Sequence, residues 1–129
     1  MVYQLHSLTV IDREALVARV SGHLGLLDEL VAMFANESAL MLDQMHAAIA
    51  SGDNTTLESV AHTLKGSAYT LTGYSAAETA GALESLGRNL RAREAKNAYM
   101  RLEREITTLN KALEEFTLRK AAELEHAVS

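Results

Sequence analysis

The sequence predicts an all-α protein: an antiparallel four-helix bundle preceded by a short additional N-terminal helix. Proline is absent from all 129 residues. Leu, Ala, Glu, Met and Arg dominate, all strong helix formers, while β-branched and aromatic residues are thin. Apolar residues also recur at spacings of three and four in every long segment, the period of a helix with one buried face.

The elements follow from the punctuation. A short helix is predicted over residues 12–20, with Asp12 as its N-cap. The "SGHLG" run at 21–25 breaks it and opens a long second helix over 23–50. That helix ends at "SGDN", with Gly52 just past its end. The third helix starts there, capped by Asp53 or by a Thr55-x-x-Glu58 box, and is expected to stop at Gly73. Ser75-x-x-Glu78 reads as a capping box opening a fourth helix that runs to about residue 91. The fifth is placed over 94–124, with the closing "EHAVS" expected to fray.

Stripes complete the bundle. The fifth helix carries Tyr99, Leu102, Ile106, Leu109, Leu113 and Phe116. The fourth carries Ala76, Ala80, Leu83, Gly87 and Leu90, whose small members allow close approach. The second carries Leu27, Leu30, Val31, Phe34, Met41, Met45 and Ile49. It also carries a separate row, Leu26, Met33, Leu40 and Ala47, about 120° round the helix at ~100° per residue. That row is either a contact with a second neighbour or an exposed docking patch.

Composition bounds the function. The chain is one domain's length and is read as a single domain over 1–129, its bundle core roughly 10–118. Apolar residues make up 48% and charged ones 22%, so one hydrophobic core is affordable without staples. With no cysteine, thiolate nucleophiles, disulfides and cysteine-based zinc sites are excluded. A net charge of -5 argues against nucleic acid, which requires a basic stripe. The "RNLRAREAK" run at 88–96 reads as a solvated helix–helix connection. No segment approaches the ~18 apolar residues of a membrane span. The opening "MVYQLHSLTV" lacks a signal peptide's charged start and cleavage site. The expectation is a cytoplasmic, monomeric domain.

The third helix carries the chemistry, in "AHTLKGSAY" at 61–69. Its core stripe of Leu57, Val60, Ala61, Leu64, Ala68 and Leu71 spans an arc of about 100°, and His62 lies ~150° from the centre of that arc. His62 shares its face with Glu58, Lys65, Gly66 and Tyr69, its neighbours three, four and seven residues away. A solvated histidine with no task also fits this position. Gly66, however, costs a helix interior about 1 kcal/mol relative to alanine, and it removes the side chain that would shield the imidazole. Lys65 adds a cation that disfavours the imidazolium and attracts a phosphoryl group. An exposed neutral imidazole, a neighbouring cation and cleared space describe a nucleophile for phosphoryl transfer.

These residues resemble the histidine-containing phosphotransfer family, whose pattern is His-x-Leu-Lys-Gly-Ser-Ala with an apolar residue three further on. His62, Leu64, Lys65, Gly66, Ser67, Ala68 and Leu71 fill it. Residues 11–34 resemble the family's first two helices, and "AGALESLGR" at 80–88 its fourth. Many members carry glycine where this chain has Thr72, with Gly73 following. The resemblance implies that His62 is the phosphorylated residue, that Lys65 stabilises phosphoryl charge and that Gly66 admits the partner. It implies receiver domains and an upstream hybrid sensor kinase as partners. It also implies no cofactor or metal of the chain's own, the Mg²⁺ belonging to the receiver. Glu58, Tyr69 and Leu24 are the candidate partner-binding positions, with Leu26 and Met33 beside Leu24.

Other readings compete. The amino-terminal phosphorylation domain of a chemotaxis-type kinase has a similar bundle and motif. An inactive helical scaffold explains the stripes but not the exposed His-x-x-Lys-Gly. A di-iron bundle needs two inward Glu-x-x-His pairs, and none occurs; His6, His23, His46 and His126 show no ligand spacing.

Overall fold

The computed structural model describes residues 10–128, with side chains described through residue 123. It is a helical bundle with no strand among those residues. Helix α1 (Arg13–Arg19) is capped by Asp12, whose carboxylate accepts a hydrogen bond from the Ala15 amide at 3.1 Å. Ser21 and Gly22 turn the chain at φ 52° and 76° into α2 (Leu24–Ser51). Gly52, left-handed at φ 72°, closes α2. Asp53 then caps α3 (Asn54–Thr70) by accepting from both the amide and the hydroxyl of Thr56. Helix α4 (Tyr74–Arg88), a 3₁₀ turn (Ala92–Glu94) and α5 (Lys96–Val128) complete the chain.

The short connections make sequential long helices antiparallel neighbours. Helix α2 packs on α3 and α5, and α4 packs on the same two, so the four close into a ring. The predicted stripes line its centre: Leu27, Phe34, Met45, Leu57, Leu64, Leu83, Leu102 and Leu113 are buried. Asn110 donates to the buried Ser38 hydroxyl at 3.3 Å, a polar tie between α2 and α5. The second row on α2 faces water, with Leu26, Met33 and Leu40 between 46% and 65% exposed.

The boundaries differ from the sequence prediction where backbone constraints outrank pattern. Helix α3 ends at Thr70 rather than at Gly73, because Thr72 adopts the left-handed φ of 64°. Gly73 becomes the residue before α4, buried against Leu109, whose side chain fills the space a Cβ would need. Ser75 therefore already lies inside α4, and the Ser75-x-x-Glu78 box is not formed. Leu90 belongs to no stripe: α4 stops at Arg88, and Leu90 turns out at φ 60° with 78% of its surface exposed. Helix α5 begins two residues later than expected, after the 3₁₀ turn, and runs to Val128.

Thr72 adopts a left-handed conformation that disfavours a β-branched residue. Its buried hydroxyl accepts from the Asp12 amide at 2.8 Å, joining the start of α1 to the end of α3. Two terms therefore oppose each other: backbone strain and a long-range hydrogen bond. Thr72→Ala keeps the strain and loses the bond, so urea unfolding is expected to show a loss of about 1 kcal/mol. Thr72→Gly loses the same bond but releases the strain, and is expected to unfold at higher urea than Thr72→Ala.

Candidate functional site

Helix α3 buries Leu57, Ala61, Leu64 and Ala68, and this fixes the rotation that puts His62 outside. The imidazole is 67% exposed. A Cβ at Gly66 would meet no atom within 4 Å. Nothing inside the protein therefore requires a glycine there, although glycine weakens the helix. The open space at Gly66 adjoins the ring, one turn along the same face.

Beneath His62 lies a carboxylate that the motif does not contain. Glu84, on α4, is 7% exposed. Its Oε2 lies 2.8 Å from His62 Nδ1, and its Oε1 accepts from Lys65 Nζ at 2.6 Å. Arg88, four residues on, donates through Nη2 to Oε2 at 3.1 Å and through Nε to Glu58 at 3.0 Å. The close approach of α3 and α4 rests on Gly87. A Cβ there would come within 2.7 Å of the Glu58 amide nitrogen and 2.8 Å of the Asn54 carbonyl oxygen.

The chemistry of this cluster follows from its charges. The Lys65 hydrogen bond pulls the Glu84 carboxyl below its ordinary value of 4.5; burial pushes the other way, and the His62 hydrogen bond adds to the lowering. Glu84 is therefore ionised at neutral pH and can only accept hydrogen bonds. Nδ1 must then carry a proton, so that in the neutral ring the lone pair is on Nε2. Two carboxylates, Glu58 and Glu84, balance two cations, Lys65 and Arg88, around the ring.

The remaining predicted positions fall at different distances from this centre. Glu58 joins the cluster through Arg88. Tyr69 is exposed on the same face, two turns from His62, edge-on to Tyr74 with ring centroids 5.2 Å apart. Arg19 of α1 lies 5.9 Å over the Tyr69 ring and donates to the Tyr69 carbonyl at 2.7 Å and to the Thr70 carbonyl. Leu24 is half-buried against the core, and the exposed apolar positions of α2 are Leu26, Met33 and Leu40.

Sequence reasoning missed Glu84 and Arg88. A signal for Glu84 was present: it falls between Ala80 and Gly87 at helical spacing, a buried position where a carboxylate needs partners. Arg88 stands four residues after Glu84, the spacing of a helix ion pair, but it opens the basic run read as a solvated connection. The rest of that run is indeed connective, with Arg91 paired to Glu94 and Arg93 donating to the last carbonyls of α2.

Among the described residues, no group of three or more His, Asp or Glu side chains is placed to hold a metal ion. His6 lies outside the described residues, as does the side chain of His126. No described helix is long and apolar enough to cross a membrane.

The model of the Hpt domain family matches residues 29–119. The crystal structure of histidine-containing phosphotransfer protein B from Pseudomonas aeruginosa PAO1 superposes with a TM-score of 0.79, covering 85% of this chain and 96% of that chain at 23% identity. That likeness is one of fold. Comparison with curated proteins gives no match.

Because the carboxyl of Glu84 is depressed in the folded state, its ionised form contributes stability above the ordinary carboxylate range. That contribution is lost as pH falls through the depressed value. Glu84→Gln is expected to cost about 1–3 kcal/mol at pH 7. Urea titrations across pH should show the gap from the parent protein closing below about pH 4.5, the ordinary value; a pH-independent gap would assign the loss to packing.

Proposed function

The chain belongs to the Hpt domain family, the phosphotransfer modules of two-component phosphorelays, and on that premise we propose that His62 carries the phosphoryl group between the aspartates of receiver domains. The observation that carries this reading is a 67%-exposed imidazole whose inner nitrogen is tied at 2.8 Å to a buried carboxylate. The free Nε2 attacks the phosphorus of a receiver's aspartyl phosphate in line. The N–P bond forms as the P–O bond to aspartate breaks, and the aspartate carboxylate leaves with the electron pair. Positive charge develops on the ring in this step, and Glu84, already in place, stabilises it. The reverse step loads the next receiver.

The other positions take supporting roles. Lys65 sits on Glu84, 40% exposed, and its ammonium is close enough along the helix to turn toward a phosphoryl group on His62. Gly66 admits the receiver's acidic pocket, which supplies the Mg²⁺ that such transfers use. Tyr69 and the exposed row on α2 offer apolar surface for docking. Leu40 precedes the turn at Gly52 and Asp53 by as many residues as Lys65 follows it, so antiparallel pairing sets the two at one level of the bundle. An upstream hybrid sensor kinase, through its own receiver, is the source of phosphate this scheme requires.

The test mixes a receiver radiolabelled on its aspartate with the parent chain, His62→Gln and Gly66→Ala. Label that is acid-labile and base-stable is expected on the parent and not on His62→Gln. Gly66→Ala is expected to be more stable to urea by about 0.5–1 kcal/mol and yet to take label more slowly. Label reaching His62→Gln as fast as the parent would overturn the assignment. No transfer from several receivers to a folded chain would favour a scaffold.

A further inference from the structure

Arg88 has a geometry that a surface ion pair does not explain. An exposed arginine four residues from a glutamate contributes only about 0.3–0.5 kcal/mol as a helix pair. Here the glutamate is buried, and the oxygen that Arg88 reaches is the one that holds the reactive ring. Glu84 Oε2 takes His62 Nδ1 at 2.8 Å and Arg88 Nη2 at 3.1 Å, while Oε1 is occupied by Lys65 at 2.6 Å. The guanidinium is held from its other side, its Nε donating to Glu58 at 3.0 Å. One planar fork thus bridges a carboxylate on α3 and a carboxylate on α4, which a single ammonium could not do with the same geometry.

We propose that Arg88 is a positioning residue for the reaction at His62: sharing Glu84 Oε2 with the imidazole, it fixes the carboxylate's direction and weakens its pull on a second ring proton. The inference rests on the phosphotransfer reading for its consequence, but not for its electrostatics. A lone carboxylate against a histidine would favour the imidazolium, which has no lone pair left on Nε2 and cannot attack phosphorus. A cation on the same oxygen offsets that tendency while leaving the Nδ1 hydrogen bond in place. The charged groups facing the ring are Glu58 and Lys65 from α3 and Glu84 and Arg88 from α4. Among the described residues, α2 contributes no ion pair to this cluster.

The experiment compares the parent chain with Arg88→Met, Arg88→Lys and Glu58→Gln in two readouts. The first is the rate of label transfer from a phosphorylated receiver domain between pH 5.5 and 8.5; the second is the proton titration of the His62 ring followed by NMR, which needs no partner. Arg88 is 58% exposed in the last turn of α4, so its replacement leaves the core untouched. Removing a unit charge a few ångströms away moves a titration by about half a unit or more. Arg88→Met is therefore expected to shift both profiles to higher pH, slowing transfer about threefold on the acid side and little on the alkaline plateau. Arg88→Lys, which keeps the charge, is expected to restore most of the shift, and Glu58→Gln to move both profiles the other way. A ring titration unmoved by Arg88→Met overturns the proposal, whatever the transfer rate. A titration shifted by Arg88→Met, beside a parent chain that accepts no label, would support the electrostatic role and overturn the phosphotransfer reading.

Discussion

A buried carboxylate cannot stand alone, and the site is organised by that constraint. Leaving Glu84 ionised and unpartnered at 7% exposure would cost several kcal/mol, so donors must converge on it. Three do: His62, Lys65 and Arg88, two from α3 and one from α4 itself. Their convergence fixes the ring's tautomer, gathers two cations on the carboxylate that holds the ring and ties α3 to α4. The backbone supplies the proximity this requires, because Gly87 lets α4 approach to where a methyl group would already collide with α3. Fold and chemistry meet at one side chain.

The two ends of the histidine helix are secured by different means. At its start, Asp53 caps the helix and the Asn54 side chain accepts from the Ala92 amide at 2.8 Å, binding it to the 3₁₀ turn. At its end, Arg19 donates to the Tyr69 and Thr70 carbonyls of the last turn, and the Thr72 hydroxyl accepts from the Asp12 amide. Helix α1 is therefore a clamp on α3 as well as a cover over the core. Both attachments leave the face of His62, Gly66 and Tyr69 open to a partner.

Much of this was legible in the sequence, and the remainder was hidden for physical reasons. Helical period and glycine punctuation gave the helices, and the stripe of Leu57, Ala61, Leu64 and Ala68 gave the outward direction of His62, because each depends on residues close in the chain. The exact turn at Thr72 was not legible: a β-branched residue in a left-handed conformation is accepted only because a hydroxyl bond reaches across sixty residues. Glu84 was visible as an odd carboxylate in an apolar stripe, but two of its partners, His62 and Lys65, lie about twenty residues earlier, and no local spacing reveals them. Pattern also could not decide between contact and exposure for Leu26, Met33 and Leu40, since both produce the same apolar row. The ring of helix contacts decided it.

The central claim is that Glu84 sets the tautomer of the His62 ring, holding the proton on Nδ1 and leaving Nε2 as the nucleophile. Nitrogen NMR of the uniformly labelled chain at pH 7.5 tests it directly, because protonated and unprotonated ring nitrogens resonate far apart. The account predicts that His62 shows a protonated Nδ1 and a bare Nε2, the minority tautomer of free histidine in water. A ring protonated at Nε2, or on both nitrogens, would contradict it.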